Sequence, residues 1–264
     1  MAYSEYPRYN LPNENKWAVY FRSTLEKSAS RRRQEWTTFA DPRQQQIARE
    51  LWQSFSGEIK CSFWGGYADA ERVRIGVAPA ELVAEEDRTG VSCAQVTGSF
   101  PPGVLTHRDF LGALMGLGIK RETLGDIVYS GEGHALVFLL PQLASFLEQN
   151  LVRIGRYTAQ VEIIDPAGVE TLLPVRQAKE IRGTVASMRV DAVAGLGFGL
   201  SRSRIAPLIK GEQIKLNYQV INQPSKSVKA GDHISLTGKG RVEVVDVLGK
   251  SRKGRIHLLL HRVR

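Results

Sequence analysis

The sequence has few of the residues that crosslink a small secreted protein or anchor a chain in a membrane. Only two of its 264 residues are cysteines, Cys61 and Cys93, which excludes a disulfide framework and favours a reducing compartment. We interpret both as small buried hydrophobic residues. No stretch approaches the roughly 18 apolar residues of a membrane span, and the N-terminal residues lack the apolar run of a secretory signal. We therefore expect a soluble cytoplasmic protein with no membrane span.

The residue groupings of familiar catalytic and metal sites are also missing. His257 and His261 could share a strand face, but no cysteine or carboxylate cluster accompanies them, so a zinc site is not expected. The triplet His-Arg-Asp at 107–109 occurs in kinase catalytic loops, yet no metal-binding Asp-Phe-Gly follows it. The glycines of 195–199 follow a helical segment and not a strand, which argues against a dinucleotide site. We predict no catalytic residue, no metal and no cofactor.

Acidic residues are scarce in one part of the chain only. Residues 180–264 contain 16 Lys and Arg against 6 Asp and Glu, a net charge of +10. Residues 1–179 contain 20 against 21, a net charge of −1, and the two parts together give the overall +9. All of the excess positive charge therefore belongs to the last third of the chain. Such an asymmetry is typical of proteins that bind nucleic acid or another anionic surface.

The basic region contains segment 187–216, whose apolar spacing predicts two short helices and the start of a strand. Ser187 and Ser201 stand where N-caps are expected, each ahead of an apolar stripe at helical spacing. The glycines of 195–199 lie between the two stripes, and we expect them to break the helix there.

The second of these helices carries its positive charges at its N-terminal end. Arg202 and Arg204 fall in the first turn, where free N–H groups and the helix dipole already give positive potential. Arginines in that position are typical of a phosphate site, while two solvated arginines on a surface helix are the alternative. Pro207 lies further along the helix and should distort it.

Short motifs in this region resemble the S4 domain, a small αα-turn-β module that binds RNA in a ribosomal small-subunit protein, in pseudouridine synthases and in tyrosyl-tRNA synthetases. The first helix carries Arg189-x-Asp191, the second begins with Ser201-Arg202, and a Lys-x-Gly-Asp turn ends at Asp232. The resemblance implies that the basic region binds the phosphates of folded RNA.

Upstream of the basic region, the pattern predicts helices first and strands later. Segments 14–29 and 42–55 have helical spacing, and Asp41 is the expected cap of the second. From residue 58 onward, period-2 segments alternate with helices near 107–117 and 141–151, which favours a split α/β plait. The strands lack the aromatic signature of the usual RNA-recognition motif, so base stacking on this sheet is not expected.

Segment 106–127 closely resembles the region that marks the YlmH family of RNA-binding proteins, which carry a plait-like domain before a C-terminal S4 domain. Segments 64–67 and 70–72 are most similar to the cyanobacterial and plastid branch known as photosystem II S4 domain proteins. The resemblance implies action on RNA without catalysis. It also implies a link to the large ribosomal subunit and to the rescue of stalled nascent chains.

We therefore predict an α+β chain in three parts: N-terminal helices over 1–56, a central RRM-like α/β plait over 57–168, and a C-terminal S4 (αα-turn-β) RNA-binding domain over 180–264. We expect a monomeric, non-catalytic protein that recognises structured RNA, rRNA or tRNA on the large ribosomal subunit, in ribosome-associated quality control. The predicted RNA-binding residues are Arg189, Arg202, Ser203, Arg204, Lys210, Lys215, Asn217, Lys239, Arg241, Lys250, Arg252 and Lys253. The members of a second predicted RNA patch are Arg108, Lys120 and Arg121.

Two other function classes remain open at this point. An RNA-modifying enzyme of the pseudouridine-synthase kind would use the S4 domain for targeting, but residues 58–168 are few for a catalytic domain, and Asp109 and Asp126 fall on a helix or turn. A photosystem or membrane-associated assembly factor is suggested by the branch name alone. If RNA binding is the function, the pair Arg202→Glu and Arg204→Glu should lower RNA affinity while the protein still folds.

Overall fold

The computed structural model describes residues 9, 11–82, 90–101, 103–129, 133–174 and 178–263. The chain forms two compact units, Met1–Pro174 and Val175–Arg264. The finer sequence-based limits of 1–56, 57–168 and 180–264 stay a prediction. None of the helices in the described part of the chain has the length and apolar content needed to cross a bilayer.

The first unit begins with two helices packed on a small antiparallel sheet. The helices are α1 (Pro12–Arg31) and α2 (Pro42–Gln53); the strands are β1 (Glu35–Trp36), β2 (Ile59–Trp64) and β3 (Arg74–Pro79), in the order β1-β3-β2. Helix α2 begins as the sequence predicts, because Asp41 and Gln44 form a capping box and a proline occupies the first helical position. Phe21, Ile47 and Ile75 are fully buried where helices and sheet meet.

The second part of this unit is the predicted plait. Its elements are β4 (Ser92–Thr97), α3 (His107–Gly116), β5 (Leu124–Tyr129), β6 (His134–Leu139), α4 (Ala144–Asn150), the short pair β7 (Arg153–Ile154) and β8 (Tyr157–Thr158), and β9 (Gln160–Ile164). The sheet order β5-β6-β4-β9 is antiparallel throughout, which is the βαββαβ arrangement of RRM-like domains. The RRM-like fold is confirmed. The sequence Gly131-Glu132-Gly133 indicates a hairpin between two strands, and its first two residues lie outside the described part of the chain.

Strands β2 and β3 are not members of the plait sheet, although the plait predicted over 57–168 includes them. They pair with each other and with β1, and Ile59, Ile75 and Val77 pack into the core of α1 and α2. The plait buries a separate set of residues that includes Phe110, Leu124 and Leu147. Period-2 alternation identifies a strand but carries no information about which sheet it joins.

The second unit is a six-stranded antiparallel sheet with two helices on one face. Its elements are β10 (Lys179–Val185), α5 (Val190–Phe198), α6 (Arg202–Lys210), β11 (Ile214–Leu216), β12 (Gln219–Val220), β13 (His233–Leu236), β14 (Gly240–Lys250) and β15 (Ile256–Val263). The strand order is β10-β15-β14-β13-β11-β12. The helices bury Val193, Ile205 and Ile209 against Val242 and Leu258 of the sheet. This core gives the predicted S4-like pairing of two helices with strands.

The start of α5 differs from the prediction. Helix α5 begins at Val190 with Arg189 at the N-cap position, so Ser187 is not the cap. The first amide groups of the helix donate instead to backbone carbonyls of a distant loop, from Val190 N to Lys226 O at 2.9 Å and from Asp191 N to Pro224 O at 3.2 Å. A cap supplied by a loop more than thirty residues away leaves no local sequence signal.

The expectation that three glycines break the helix is wrong for two of them. Gly195 and Gly197 lie inside α5, and only Gly199, with φ of 66°, ends it. A Cβ on Gly197 would stand 2.6 Å from Val242 Cγ1, so this glycine allows the helix to approach the sheet. The burial of the helix face outweighs a propensity penalty of about 1 kcal/mol per glycine.

The start of α6 is closer to expectation. Ser201 occupies the N-cap position, but its hydroxyl pairs with the Ser203 hydroxyl at 2.9 Å and not with a backbone amide. Pro207 stays within the helix, which runs on to Lys210.

Candidate nucleic-acid interface

The N-terminal ends of α5 and α6 meet at one buried carboxylate. Asp191 has a side chain only 7% exposed and accepts hydrogen bonds from two arginines. Arg202 Nη2 lies 2.6 Å from Asp191 Oδ2, and Arg189 reaches the two carboxylate oxygens at 3.2 and 3.3 Å. Burial alone raises the pKa of the Asp191 carboxyl, but the two guanidinium groups outweigh it and leave the pKa below its ordinary value. Two cations on one carboxylate leave one net positive charge.

The carboxylate orients these two arginines without removing them from solvent. The side chains of Arg189 and Arg202 remain 41% and 55% exposed. Each guanidinium has five N–H donors, so donors remain for a ligand after the contact with Asp191. An arginine that is already held in place loses less conformational entropy when it binds an anion.

The charge reversal of Arg202 suggested by the sequence would place a glutamate against Asp191 and would therefore destabilise the fold.

The outward face of α6 continues this positive surface. Ser203, Pro207 and Lys210 follow one another at i, i+4 and i+7 and are all exposed, as are Arg202 and Arg204 on either side of them. Arg204 and Lys210 form no salt bridge within the described residues. We call the group Arg189, Arg202, Ser203, Arg204 and Lys210 the helix surface.

Two further predicted residues lie on the other face of the sheet. Lys215, Ser235 and Arg241 stand opposite one another across β11, β13 and β14, and therefore project from the same face. Their neighbours in sequence, such as Ile214 and Val242, are buried beneath the helices. Lys215 and Arg241 thus point away from the face that α5 and α6 cover. The structure does not bring all of the predicted cations onto one surface.

An aromatic side chain accompanies Arg241 on this far face. The Tyr218 hydroxyl accepts a hydrogen bond from Arg241 Nη1 at 3.1 Å, and its ring lies 6.1 Å from that of His233. Tyr218 has φ of 66°, an unusual conformation for a non-glycine residue that the tight turn between β11 and β12 requires. We call Lys215, Tyr218 and Arg241 the sheet surface.

The predicted contact Asn217 has its carboxamide engaged within the protein. Its Nδ2 donates to Asp232 Oδ1 at 2.8 Å, and its Oδ1 accepts from the backbone N–H of His233 at the same distance. Asp232 also accepts from the backbone N–H of Lys229 at 2.8 Å. Asn217 therefore joins the Lys-x-Gly-Asp turn to the end of β11, which is a structural role.

The remaining predicted residues of this unit occupy turns. Lys239 lies in the turn before β14, where its carbonyl accepts from Arg262 Nη2 at 3.3 Å. Lys250 ends β14, and Arg252 and Lys253 form the tip of the β14–β15 hairpin. Lys239, Lys250, Arg252 and Lys253 are all exposed, and none of these four forms a salt bridge within the described residues.

The second predicted patch divides into two kinds of residue. Arg108 and Lys120 are exposed. Arg121 is half-buried and donates from Nη1 to the carbonyls of Leu124 and Gly125, at 2.8 and 3.1 Å. Burial, with the nearby charge of Arg72 next in importance, lowers the pKa of Arg121 to about 10.

Sequence reasoning missed Lys226, a further exposed cation whose backbone lies beside the start of α5. Its side chain is exposed, and its carbonyl accepts from Val190 N at the start of α5, next to Arg189. The local sequence Gln-Pro-Ser-Lys shows only a polar loop. The positive charge of Lys226 is part of the net charge of +10 of residues 180–264, and this was the only sequence signal that pointed to it.

The aspartates that a modifying enzyme would need are both engaged structurally. Asp109 Oδ2 accepts from the backbone N–H and the hydroxyl of Thr106, each at 2.7 Å, which caps α3 and lowers the pKa of this carboxyl. Asp126 accepts from the Tyr67 hydroxyl and from the backbone N–H groups of Glu71 and Arg72. Within the described residues, no group of three His, Cys, Asp or Glu side chains is arranged to hold a metal ion.

Comparison with protein families gives three matches along the chain. Residues 23–82 match the model described as "YlmH, N-terminal", residues 94–167 match "Putative RNA-binding domain in YlmH", and residues 188–234 match "S4 domain". All residues of the helix surface lie within the last of these segments, and most of the plait sheet lies within the second.

Individual relatives agree with these matches. The chain is 31% identical over 230 residues to the Bacillus subtilis (strain 168) "Ribosome-associated protein quality control protein P2", covering 87% of this chain and 88% of that protein. It also resembles the solved structure of the Streptococcus pneumoniae "Cell division protein ylmH", with a TM-score of 0.51 and 23% identity over 61% of this chain and 96% of that one. At this identity the solved structure shows a shared fold.

Proposed function

Because this chain belongs to the YlmH family of S4-domain RNA-binding proteins, we propose that it is a non-catalytic factor that binds structured RNA of the large ribosomal subunit. The RNA would be rRNA, tRNA or both, and the role would be ribosome-associated quality control in the cytoplasm, with the protein acting as a monomer. The name of the Bacillus subtilis relative supports the ribosomal context. The observation that carries the RNA contact is the helix surface: exposed cations grouped around the first turns of two helices, with a single buried carboxylate that orients two of them.

The helix surface suits phosphate recognition. The first turn of α6 presents backbone N–H groups that the helix itself does not use, and the dipole adds positive potential there. Arg202 and Arg204 belong to that turn, and Arg189 contacts the same carboxylate as Arg202. Guanidinium groups bind phosphate oxygens through paired N–H donors, so an oriented pair favours two neighbouring phosphates of a folded strand.

The sheet surface and the hairpin tip form a second group of contacts in this proposal. Lys215 and Arg241 lie on the far face of the sheet, and Lys250, Arg252 and Lys253 lie at the tip of the hairpin. RNA that contacts both faces of a small domain must fold around it, as ribosomal RNA can. Asn217 is left out of the proposed interface because its carboxamide holds Asp232 and His233.

The proposal is tested by reversing two charges that have no internal partner. We expect Arg204→Glu with Lys210→Glu to weaken binding to purified large ribosomal subunits by about 10- to 100-fold, measured by co-sedimentation. The matched control is Lys27→Glu with Lys60→Glu, two exposed lysines of the first unit that give the same change in net charge. Circular dichroism establishes that both variants are folded.

The salt dependence supplies a second measurement. If five to seven phosphates are neutralised, log K should fall against log salt with a slope of roughly −4 to −6, and the double variant should lose about 2 from that slope. Equal affinity for both variants, or a nearly flat salt response of the wild type, would rule out this mechanism.

A further inference from the structure

A cleft in the first unit is lined by three basic and three aromatic side chains. Its volume is about 480 Å³, which lies within the roughly 300–1,000 Å³ of small-molecule sites. Helix α1, the start of α2 and the turn before β5 form its walls, and the cleft belongs to neither the helix surface nor the sheet surface. The basic lining residues are Lys16, Arg72 and Arg121, and the aromatic ones are Trp17, Tyr20 and Phe39.

The two arginines are held rigidly side by side. Both donate to the same carbonyl, that of Leu124, from Arg72 Nε at 3.0 Å and from Arg121 Nη1 at 2.8 Å. Arg72 Nη2 also donates to Phe39 O at 3.1 Å. These contacts use backbone carbonyls only, and no carboxylate forms a salt bridge with either guanidinium in the described part of the chain, although Asp41, Asp126 and Glu71 are near enough to raise the pKa of both arginines.

Both guanidinium groups keep donors for a ligand. Arg72 Nη1, Arg121 Nε and Arg121 Nη2 donate to no atom of the described residues. Burial first, and the charge of Arg72 second, lower the pKa of Arg121 to about 10, while the charges of Asp126, Asp41 and Glu71 act in the opposite direction. Two half-buried like charges this close cost free energy in the empty protein, and an anion in the cleft would relieve that cost.

Carboxylates in and near the cleft offset part of this positive charge, but each is exposed or accepts hydrogen bonds from other groups. Asp41 and Glu122 line it as well, against the three basic side chains. The Asp41 carboxylate accepts from Gln44 N at 2.8 Å as the cap of α2, and the Glu122 side chain is exposed. The nearby Asp126 already accepts three hydrogen bonds.

The aromatic side chains of the cleft indicate that its ligand has a planar ring as well as an anionic group. Tyr20 is 39% exposed, and its hydroxyl accepts from Thr38 N at 3.1 Å, which fixes the ring. Trp17 lies 5.2 Å from it, centroid to centroid, and its Nε1 donates to Gln44 O at 2.9 Å. Fixed aromatic faces beside phosphate-binding cations are the combination with which proteins hold a nucleotide, the base on the ring and the phosphate on the cation.

We propose that this cleft binds one nucleotide, with its phosphate on Arg72, Arg121 and Lys16 and its base against Tyr20, whose ring the buried Trp17 supports. The nucleotide is either free in solution or one residue of an RNA strand, since both carry the same groups. This site goes beyond the proposed function, because it lies in the first unit and shares no residue with the S4-type surfaces.

The test uses the full chain carrying Arg204→Glu and Lys210→Glu, so that RNA binding by the helix surface does not contribute. Binding of AMP, GMP, CMP, UMP and inorganic phosphate is measured by calorimetry, and binding of a single-stranded RNA of about eight nucleotides by fluorescence anisotropy. The variants are Lys16→Glu in the cleft and, as the matched control on the same helix, Lys27→Glu outside it. Tyr20→Leu tests the aromatic wall.

We expect at least one nucleotide or the RNA to bind more tightly than phosphate, Lys16→Glu to weaken that binding about tenfold, and Lys27→Glu to change it less than about twofold. Tyr20→Leu should weaken nucleotide binding and leave phosphate binding unchanged. Binding of mononucleotides identifies a free ligand, and binding of the RNA alone identifies a strand. Absence of binding by every probe, or equal effects of Lys16→Glu and Lys27→Glu, overturns the proposal and leaves the proposed function of the S4-type unit untouched.

Discussion

Asp191 shows how a single residue can serve both stability and binding. Its carboxylate lies at the start of α5 and joins Arg189 to Arg202 of α6. A buried carboxylate without partners would cost several kcal/mol, whereas one with two guanidinium partners is stabilised and also sets their direction. The motif Arg189-x-Asp191 is visible in the sequence, but its third member lies eleven residues further on, on another helix.

The pH dependence of stability follows from this carboxyl. Its pKa is lower in the folded protein than in the unfolded chain, so its contribution is present above the unfolded value of roughly 3.9 and is lost as pH falls through the folded value. We expect Asp191→Asn to lower the free energy of unfolding by about 1–3 kcal/mol at neutral pH, and the difference from wild type to vanish in acid. Urea titrations between neutral pH and about pH 2 measure this.

The matched control is Asp246→Asn, an exposed carboxylate on β14. Its effect should stay within about 0.5 kcal/mol at every pH. A destabilisation by Asp191→Asn that persists unchanged in acid would show that the ion pair is not its cause.

At the scale of elements, α5 is a helix that its own sequence does not favour. It contains Gly195 and Gly197, it has no side-chain cap, and its first amides are satisfied by the loop at Pro224–Lys226. What stabilises it is the burial of one face against β14 and β15, and this needs a close approach of backbone to sheet. Gly197 is therefore required for packing against the sheet, while Gly199 ends the helix.

Replacing Gly197 by alanine separates these effects. Helix propensity predicts a gain, but the new Cβ would stand 2.6 Å from Val242 Cγ1, so we expect a loss of about 1–3 kcal/mol in the free energy of unfolding. Gly112→Ala in α3 is the control, because Gly112 is exposed and nothing lies within 4 Å of its new Cβ. It should stabilise the protein by about 0.5–1 kcal/mol. Chemical denaturation of both variants measures the free energy of unfolding. A stabilising Gly197→Ala would contradict the close packing of α5 on the sheet.

At the scale of the whole molecule, charge and structure divide at nearly the same place. The second unit carries the net charge of +10 counted for residues 180–264, and the rest of the chain is close to neutral. This unit also has a core of its own, built from both helices and the sheet. Long-range attraction of polyanions should therefore come from the second unit, while the cleft of the first unit acts at short range.

We expect residues 175–264 to fold as an independent protein and to keep the salt dependence of the full chain. Its thermal unfolding, followed by circular dichroism, should be cooperative because its core is complete. Its slope of log K against log salt on ribosomal RNA should lie within about 1 of the slope of the full chain, since it retains the predicted phosphate contacts of the S4-type unit. An unfolded fragment, or a slope shallower by 2 or more, would show that the first unit supplies essential contacts.

Much of the fold could be predicted from the sequence. Apolar spacing located α2, the plait strands and the paired helices of the S4-type unit, because burial imposes its period on the chain wherever a face is covered. Asp41 indicated the start of α2, since a cap within four residues is a local interaction. The family resemblance extended this to the order of domains.

The sequence by itself determined the location of the excess charge, the presence of two S4-type helices, and the kind of ligand that such a charge attracts. Tertiary structure alone decided which cations share a surface: Arg189 and Arg202 meet on Asp191, while Lys215 and Arg241 lie behind the sheet. It also placed β2 and β3 in their own sheet and brought Arg72 and Arg121 to one carbonyl. Composition and period are properties of neighbouring residues, whereas faces and sites depend on contacts between residues far apart in the chain.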